Sequence, residues 1–250
     1  MKHITAHFDS EAYRYPTEIG EDHVQDRKWA LIKTHAPKAG IVADIGSASG
    51  RHSLKLAARE LSVVAIDPSQ KMLATLVRGV ENTDLNGRIL PCASALPHLP
   101  FTQARFDLVY CFSTMLLLPQ NEQEIAVREM SLMLAPGGIL ILDVAGTHSL
   151  AIRYWRRYYQ KRGMDGVFGH TAQGTRSLLG DNGLEIVSME AHGVLSQFLL
   201  FPGLEKIPGL TRLVRGRGAK PGWDAVISRL LPRLAERWYV VTRRPADGTN

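Results

Sequence analysis

The sequence predicts an α/β protein built on a doubly wound, mostly parallel sheet of seven strands, and three observations lead there. From Ile41 onward, short apolar runs alternate with amphipathic stretches, the pattern of βα units that feed a parallel sheet. A run of small residues follows the first apolar stretch and an acid closes the second, where such sheets bind ligands at their carboxyl edge. Pro and Gly mark the places where one element gives way to the next. The 250 residues can bury one substantial core, and a composition of 45% apolar and 22% charged residues excludes a fibre or a disordered chain.

The elements follow in order. IVADIG (41–46) is the first strand, RHSLKLAARE (51–60) the first helix after it, and SVVAID (62–67) the second strand. Asp67-Pro68-Ser69 then caps the helix QKMLATLVRGV. RILPCA (88–93) is the third strand, followed by the Pro-punctuated loop ALPHLPF and by a fourth strand, FDLVYCF (106–112). The helix over 121–134 stops at Ala135-Pro136-Gly137-Gly138, which turns the chain into the fifth strand, ILILDV (139–144). SLAIRYWRRYYQKRG (149–163) is a basic amphipathic helix, with Arg153, Arg156 and Arg157 on one face and Trp155, Tyr158 and Tyr159 on another. Strands at 184–191 and 237–244 complete the sheet, and more than 40 residues between them, too long for a hairpin loop, predict an inserted helical cap.

Charge is unevenly placed. Residues 1–150 carry 14 Lys and Arg against 16 Asp and Glu, whereas residues 151–250 carry 16 against 8, so the basic excess points to an anionic partner or to a solvated basic face. Cys92 and Cys111 sit in apolar strands without metal-ligand spacing, and neither a disulfide nor a metal site is expected. No stretch approaches the roughly 18 apolar residues of a membrane span, and the N-terminus lacks a signal-peptide core. The expected location is the cytoplasm.

In VADIGSASGRHS the small residues between a strand and a helix start let backbone N–H groups approach a ligand. Asp67 follows Gly46 at about the interval that suits a carboxylate bonding ribose hydroxyls, so the two together predict an adenosine-type ligand. Asp44-Ile45-Gly46-Ser47-Ala48-Ser49-Gly50 resembles the D-x-G-x-G-x-G motif of class I S-adenosylmethionine-dependent methyltransferases, with Ala48 in place of the middle glycine. The resemblance continues through VVAIDPSQKML, PCASALP, FDLVYCFSTMLLL and LAPGGILIL, over residues 40–145. It implies a Rossmann-like methyltransferase fold and S-adenosylmethionine as cofactor, held by Asp44, Gly46, Ser47, Ala48, Gly50, Asp67 and Pro68. It extends the cofactor site to Cys92, Ala93 and Ser94 after the third strand and to Cys111 and Phe112 at the end of the fourth. Cys92 stands where the family carries an Asp or Asn toward the adenine, leaving Ser94 and the Ala93 N–H to meet the ring. The segment FDSEAYRYP resembles the family's leading helix and offers Tyr13 and Tyr15 to the cofactor. The chain then divides into an N-terminal helical lid (1–40), a cofactor-binding core (41–193), the cap (194–235) and the last strand with its tail (236–250), all in one domain.

Methyl transfer from a sulfonium is an in-line displacement that proximity and exclusion of water can drive, with a general base optional. Acceptor-side residues are expected after the fourth and fifth strands: Ser113, Thr114, Met115 and Thr147, with His148 as the candidate base and His170 and His192 behind it. The apolar cap and the adjoining RLVRGRGAK suit a small or lipid-like acceptor, anionic ones included, and the basic helix leaves peripheral membrane contact open. An RNA or protein methyltransferase is the alternative, disfavoured because the fourth strand lacks the D/N-P-P-Y/F motif, so nucleic acid is not the expected partner. A non-catalytic binding protein on the same fold is a third reading, and a nicotinamide dehydrogenase lacks its G-x-G-x-x-G spacing.

Overall fold

A computed structural model describes residues 2–12, 23–101, 104–217 and 220–246. Its seven sheet strands are β1 (Ile41–Ile45), β2 (Ser62–Ile66), β3 (Ile89–Cys92), β4 (Phe106–Cys111), β5 (Leu134–Ala145), β6 (Glu185–His192) and β7 (Arg237–Arg243). They lie in the order β3-β2-β1-β4-β5-β7-β6, with β1 to β5 parallel and β7 antiparallel to both β5 and β6. The order reverses between β1 and β4, which opens a crevice at the carboxyl ends of those two strands.

Both faces of the sheet are covered, so its central strands are apolar on both sides. Ala43, Ile45, Val109, Cys111, Leu140 and Leu142 share one core with α5 (Gln120–Met133) and α7 (Ala172–Gly180). Their neighbours in the pleat, Val42, Leu108, Tyr110 and Ile141, meet α2 (His23–His35), α3 (Arg51–Ala57) and α4 (Gln70–Val80) on the other face. The remaining helices are α1 (Lys2–Glu11), α6 (Leu150–Gln160), α8 (Leu210–Arg215) and α9 (Trp223–Leu230).

Most expected elements are present within a few residues, with two differences. The Ala135–Gly138 stretch lies inside the 12-residue strand β5, which already pairs Leu134 with Phe106 and slips register before Leu108 meets Ile139. Proline cannot extend the helix, but its fixed φ suits extended backbone, and Gly137 at φ 78 absorbs the irregularity. The second difference is α7, a short helix holding Gly174 and Gly180 that carries little periodic signal; Thr171 caps it by accepting from the Gly174 N–H at 3.0 Å. The β6–β7 connection consists of short helical pieces, including α8 and α9, packed on one another. No helix of the described residues is long and apolar enough to cross a membrane.

Candidate active site

The first βα turn is drawn tight by its own backbone. Gly46 and Ser47 both donate to the Ile66 carbonyl, at 2.8 and 3.1 Å, and the Gly50 N–H closes on the Ser47 carbonyl at 2.9 Å. Gly46 has φ 74, and a Cβ built there would lie 1.9 Å from Thr114 Oγ1, so strain and space both demand glycine. Ala48 takes φ 48, the left-handed turn that the motif's middle glycine would adopt without cost.

Asp67 ties the turn to β2. Its carboxylate accepts from the Ala48 N–H (2.9 Å) and the Ser69 N–H (2.8 Å), while Ser69 Oγ bonds Asp9 of α1 at 2.5 Å. Burial raises the Asp67 pKa; the two N–H donors oppose that shift and Asp9 adds to it. Asp44 is buried and accepts from Ser53 Oγ at 2.6 Å. Burial pushes it to about 6 even though the Ser53 hydroxyl favours its charged form; the Tyr110 hydroxyl lies nearby but forms no hydrogen bond of ordinary geometry. Between about pH 4 and 6 the folded chain therefore keeps a proton on Asp44 that the unfolded chain has released, and stability falls as pH rises through that range. Asp44→Asn, which keeps the shape, is expected to be more stable than wild type at pH 8 by on the order of 2 kcal/mol and equal to it at pH 4, as read by urea unfolding at the two pH values.

Gly46, Pro68, Ser94, Leu96 and Thr114 line a cleft at the carboxyl ends of β1 to β4. Ile4 and Thr5 of α1 form its roof and leave a cavity of about 40 Å³. Ser47 Oγ is buried beside this turn without a hydrogen-bond partner.

Across the segment that follows β4 lies a second space. Thr114, Leu117 and Leu118 face the cleft, whereas Ser113 and Leu116 face a recess of about 150 Å³ with Trp155 and Tyr159 of α6. Trp155, Glu236 and Arg237 form a wall shared with a further recess of about 150 Å³ that reaches Arg27, His192, Ser196, Leu200 and Arg215. Sheet register builds this wall, since Arg237 stands opposite Ala145 on one side and His192 on the other.

A buried charge cluster forms the floor. Arg237 Nη1 donates to Asp143 Oδ2 at 2.5 Å and to Ser113 Oγ at 2.7 Å; Lys28 Nζ bonds the same hydroxyl at 2.8 Å and lies 3.8 Å from Asp143. The Ser113 N–H, set by φ 55, donates to Asp143 Oδ1 at 2.6 Å. Burial alone would raise Asp143, but Arg237, Lys28 and this N–H prevail and hold its carboxyl below the usual range. His192 lies 3.4 Å from Glu190, which also pairs with Arg27; burial lowers the His192 pKa and outweighs the opposing pull of Glu190.

The structure thus brings Gly46, Pro68, Ser94 and Thr114 together around the cleft, with Ser47, Ala48, Gly50 and Asp67 in the adjoining turn and Ser113 at the recess. Other expected residues lie elsewhere. Cys111 and Met115 are wholly buried in the core, Phe112 packs with Tyr110 and Tyr239 on the opposite face, and Ala93 is exposed. Cys92 packs its side chain against the core, while its carbonyl accepts from the Asp67 N–H at 3.2 Å. Thr147 and His148 are led away because the Gly146 N–H bonds Glu236 and the Thr147 N–H bonds His170; exposed His148 lines a separate recess with His170, Arg176 and Arg233. Tyr13 and Tyr15 lie outside the described residues.

Lys28, Arg237, Glu236 and the Glu190–His192 pair were not foreseen as a group. The available signal was Asp143 itself, because an acid inside the apolar run ILILDV requires a cationic partner from a neighbouring element.

Residues 42–138 match the family model described as a methyltransferase domain. No curated protein matches the chain in sequence. Among solved structures, the chain is similar to geranyl diphosphate C-methyltransferase from Streptomyces coelicolor A3(2), at 12% identity over 88% of this chain and 80% of that one, with a TM-score of 0.64. It is similar to magnesium protoporphyrin IX methyltransferase from Synechocystis PCC 6803, at 18% identity over 89% and 82%, with a TM-score of 0.57. A cyclase, SpnF, shares the fold at 18% identity over 88% and 81%, with a TM-score of 0.61, so the architecture by itself does not fix the reaction.

Proposed function

We propose that the chain, whose residues 42–138 match a methyltransferase domain, is a class I S-adenosylmethionine-dependent methyltransferase and that it methylates a small or lipid-like acceptor carrying an anionic group. The carrying observation is the paired recess walled by Trp155, Glu236 and Arg237, separated from the glycine-turn cleft only by the segment after β4.

The residues fit the cofactor. Each Asp67 oxygen accepts one backbone bond and keeps a lone pair for a sugar hydroxyl, Ser47 Oγ lacks a partner, and Gly46 presents bare backbone. Pro68, Ser94 and Leu96 suit the base, and Thr114 the amino-acid end. A cavity of about 40 Å³ is far below the roughly 300 Å³ at which ligand pockets begin, so loading requires α1 to swing off Ser69. When bound, S-adenosylmethionine supplies an electrophilic methyl on a sulfonium. The chain's part is to hold the acceptor close and keep water out.

Lys28, Arg237, Arg27 and Arg215 are matched in number by Asp143, Glu236, Glu190 and Asp224, but Arg27 Nε and Arg215 Nε are buried at the adjoining recess without a hydrogen-bond partner, which favours an anionic group there. Trp155, Leu116 and Ile152 supply the apolar side. His192, kept neutral by burial and braced by Glu190, is suited to take a proton from an acceptor that must lose one.

The test is release of S-adenosylhomocysteine with a panel of lipophilic and anionic acceptors. Turnover is expected with at least one of them, and Trp155→Ala should raise its KM by on the order of tenfold while leaving cofactor affinity within about twofold. Methylation of RNA or protein with no turnover on the panel would overturn this reading.

A further inference from the structure

The β6–β7 connection carries an apolar surface that folding leaves uncovered. Nine of the sixteen large hydrophobic residues exposed among the described residues fall within 198–234, led by Leu230, Trp223 and Leu213 at 70, 58 and 57% exposure. Helix α9 shows why they face outward. Asp224 accepts the N–H groups of Gly193, Leu195 and Ser196 at 3.0, 2.6 and 2.9 Å, and Ser228 Oγ accepts that of Val194 at 3.2 Å, so the polar face of this helix is turned inward. Trp223, Val226 and Leu230, at i, i+3 and i+7, form the outer stripe. In a helix that meets only water the two faces would be exchanged. Phe198 and Phe201, half exposed and stacked 6.3 Å apart, belong to the helical turn packed on α8.

Charge selects the occupant. Residues 194–235 hold seven Lys and Arg against two acids, and one of those acids, Asp224, is buried and occupied by backbone N–H groups. Exposed Arg212 and Arg229 flank Leu213 and Leu230 in sequence. A second copy of the chain would set this cationic excess against itself across a twofold axis.

We propose that this face docks on an anionic lipid bilayer, the Trp223–Val226–Leu230 stripe entering the interface and the basic side chains meeting lipid phosphates. Aromatic and aliphatic anchors ringed by Arg and Lys are the pattern of proteins that lie on a membrane without crossing it. Ser196, Leu200 and Arg215 of the same segment line the recess beside His192, together with Asp224 on the inward side of α9. Docking does not depend on which acceptor is methylated, and its test uses no turnover.

The full chain is sedimented with vesicles of phosphatidylcholine alone and of phosphatidylcholine mixed with phosphatidylglycerol. Binding is expected to be at least about tenfold stronger to the mixed vesicles and to weaken as salt rises. The exposed pair Trp223→Ser/Leu230→Ser, and separately Arg212→Glu/Arg229→Glu, should each reduce it by about tenfold or more with an unchanged circular dichroism spectrum. Absence of sedimentation with mixed vesicles at low salt, or equal binding by either folded pair, would overturn the proposal. So would a concentration-dependent dimer dissociated by the same substitutions, which would assign the face to a second copy.

Discussion

Arg237→Met is expected to lower the unfolding free energy by about 3–5 kcal/mol, the usual cost of stranding a buried charge by removing its partner. Asp143 has no exposed side-chain surface, and without Arg237 it would keep the Ser113 N–H and a Lys28 ammonium 3.8 Å away. For a chain of 250 residues, that loss corresponds to a melting temperature lower by on the order of 10 °C. The sign with pH follows from Asp143, whose pKa is held down in the folded state. Its contribution is fully present above the unfolded carboxyl value near 4 and is lost as pH falls through the lower folded value, so the gap between variant and wild type should narrow in acid. Thermal unfolding of both proteins from neutral to acid pH checks this. The double variant Asp143→Leu/Arg237→Met should lose less than the sum of the single losses, because each single change alone leaves an uncompensated charge.

Asp67→Ala should weaken S-adenosylmethionine binding by about 3 kcal/mol, on the order of a hundredfold, through loss of charge-assisted bonds to the sugar hydroxyls. The effect on the unliganded protein should be smaller. Burial already penalises the Asp67 charge, so removing it offsets part of the cost of freeing the Ala48 and Ser69 N–H groups. Thermal shift reads both at once: a modest change without ligand, and a ligand-induced rise that all but disappears in the variant.

The sheet was legible because each central strand is covered on both faces and writes itself as an unbroken apolar run, as in IVADI and ILILDV. The geometry of the glycine turn was equally legible, since Gly46 takes the left-handed conformation at the end of β1 and Asp67 at the end of β2 accepts the Ala48 N–H. The acceptor side was not. His148 is expected by its place after the fifth strand, but two backbone bonds carry that segment toward His170, and His148 lines a recess other than the one that holds Ser113. Lys28 and Arg237 come from the two ends of the chain, joined by helix packing and an antiparallel register that periodicity does not encode. Likewise the sequence places α9 only within an inserted helical cap; the bonds made by Asp224 and Ser228 reveal that its apolar stripe faces outward.

The most direct test of the central claim is calorimetric titration of the full chain with S-adenosylmethionine and with S-adenosylhomocysteine. Single-site binding of both in the micromolar range is the expected result, about −8 kcal/mol on the affinity scale. Absence of heat and of competition with either ligand would contradict the account, leaving the turn at Gly46 and Asp67 as a structural inheritance without its cofactor.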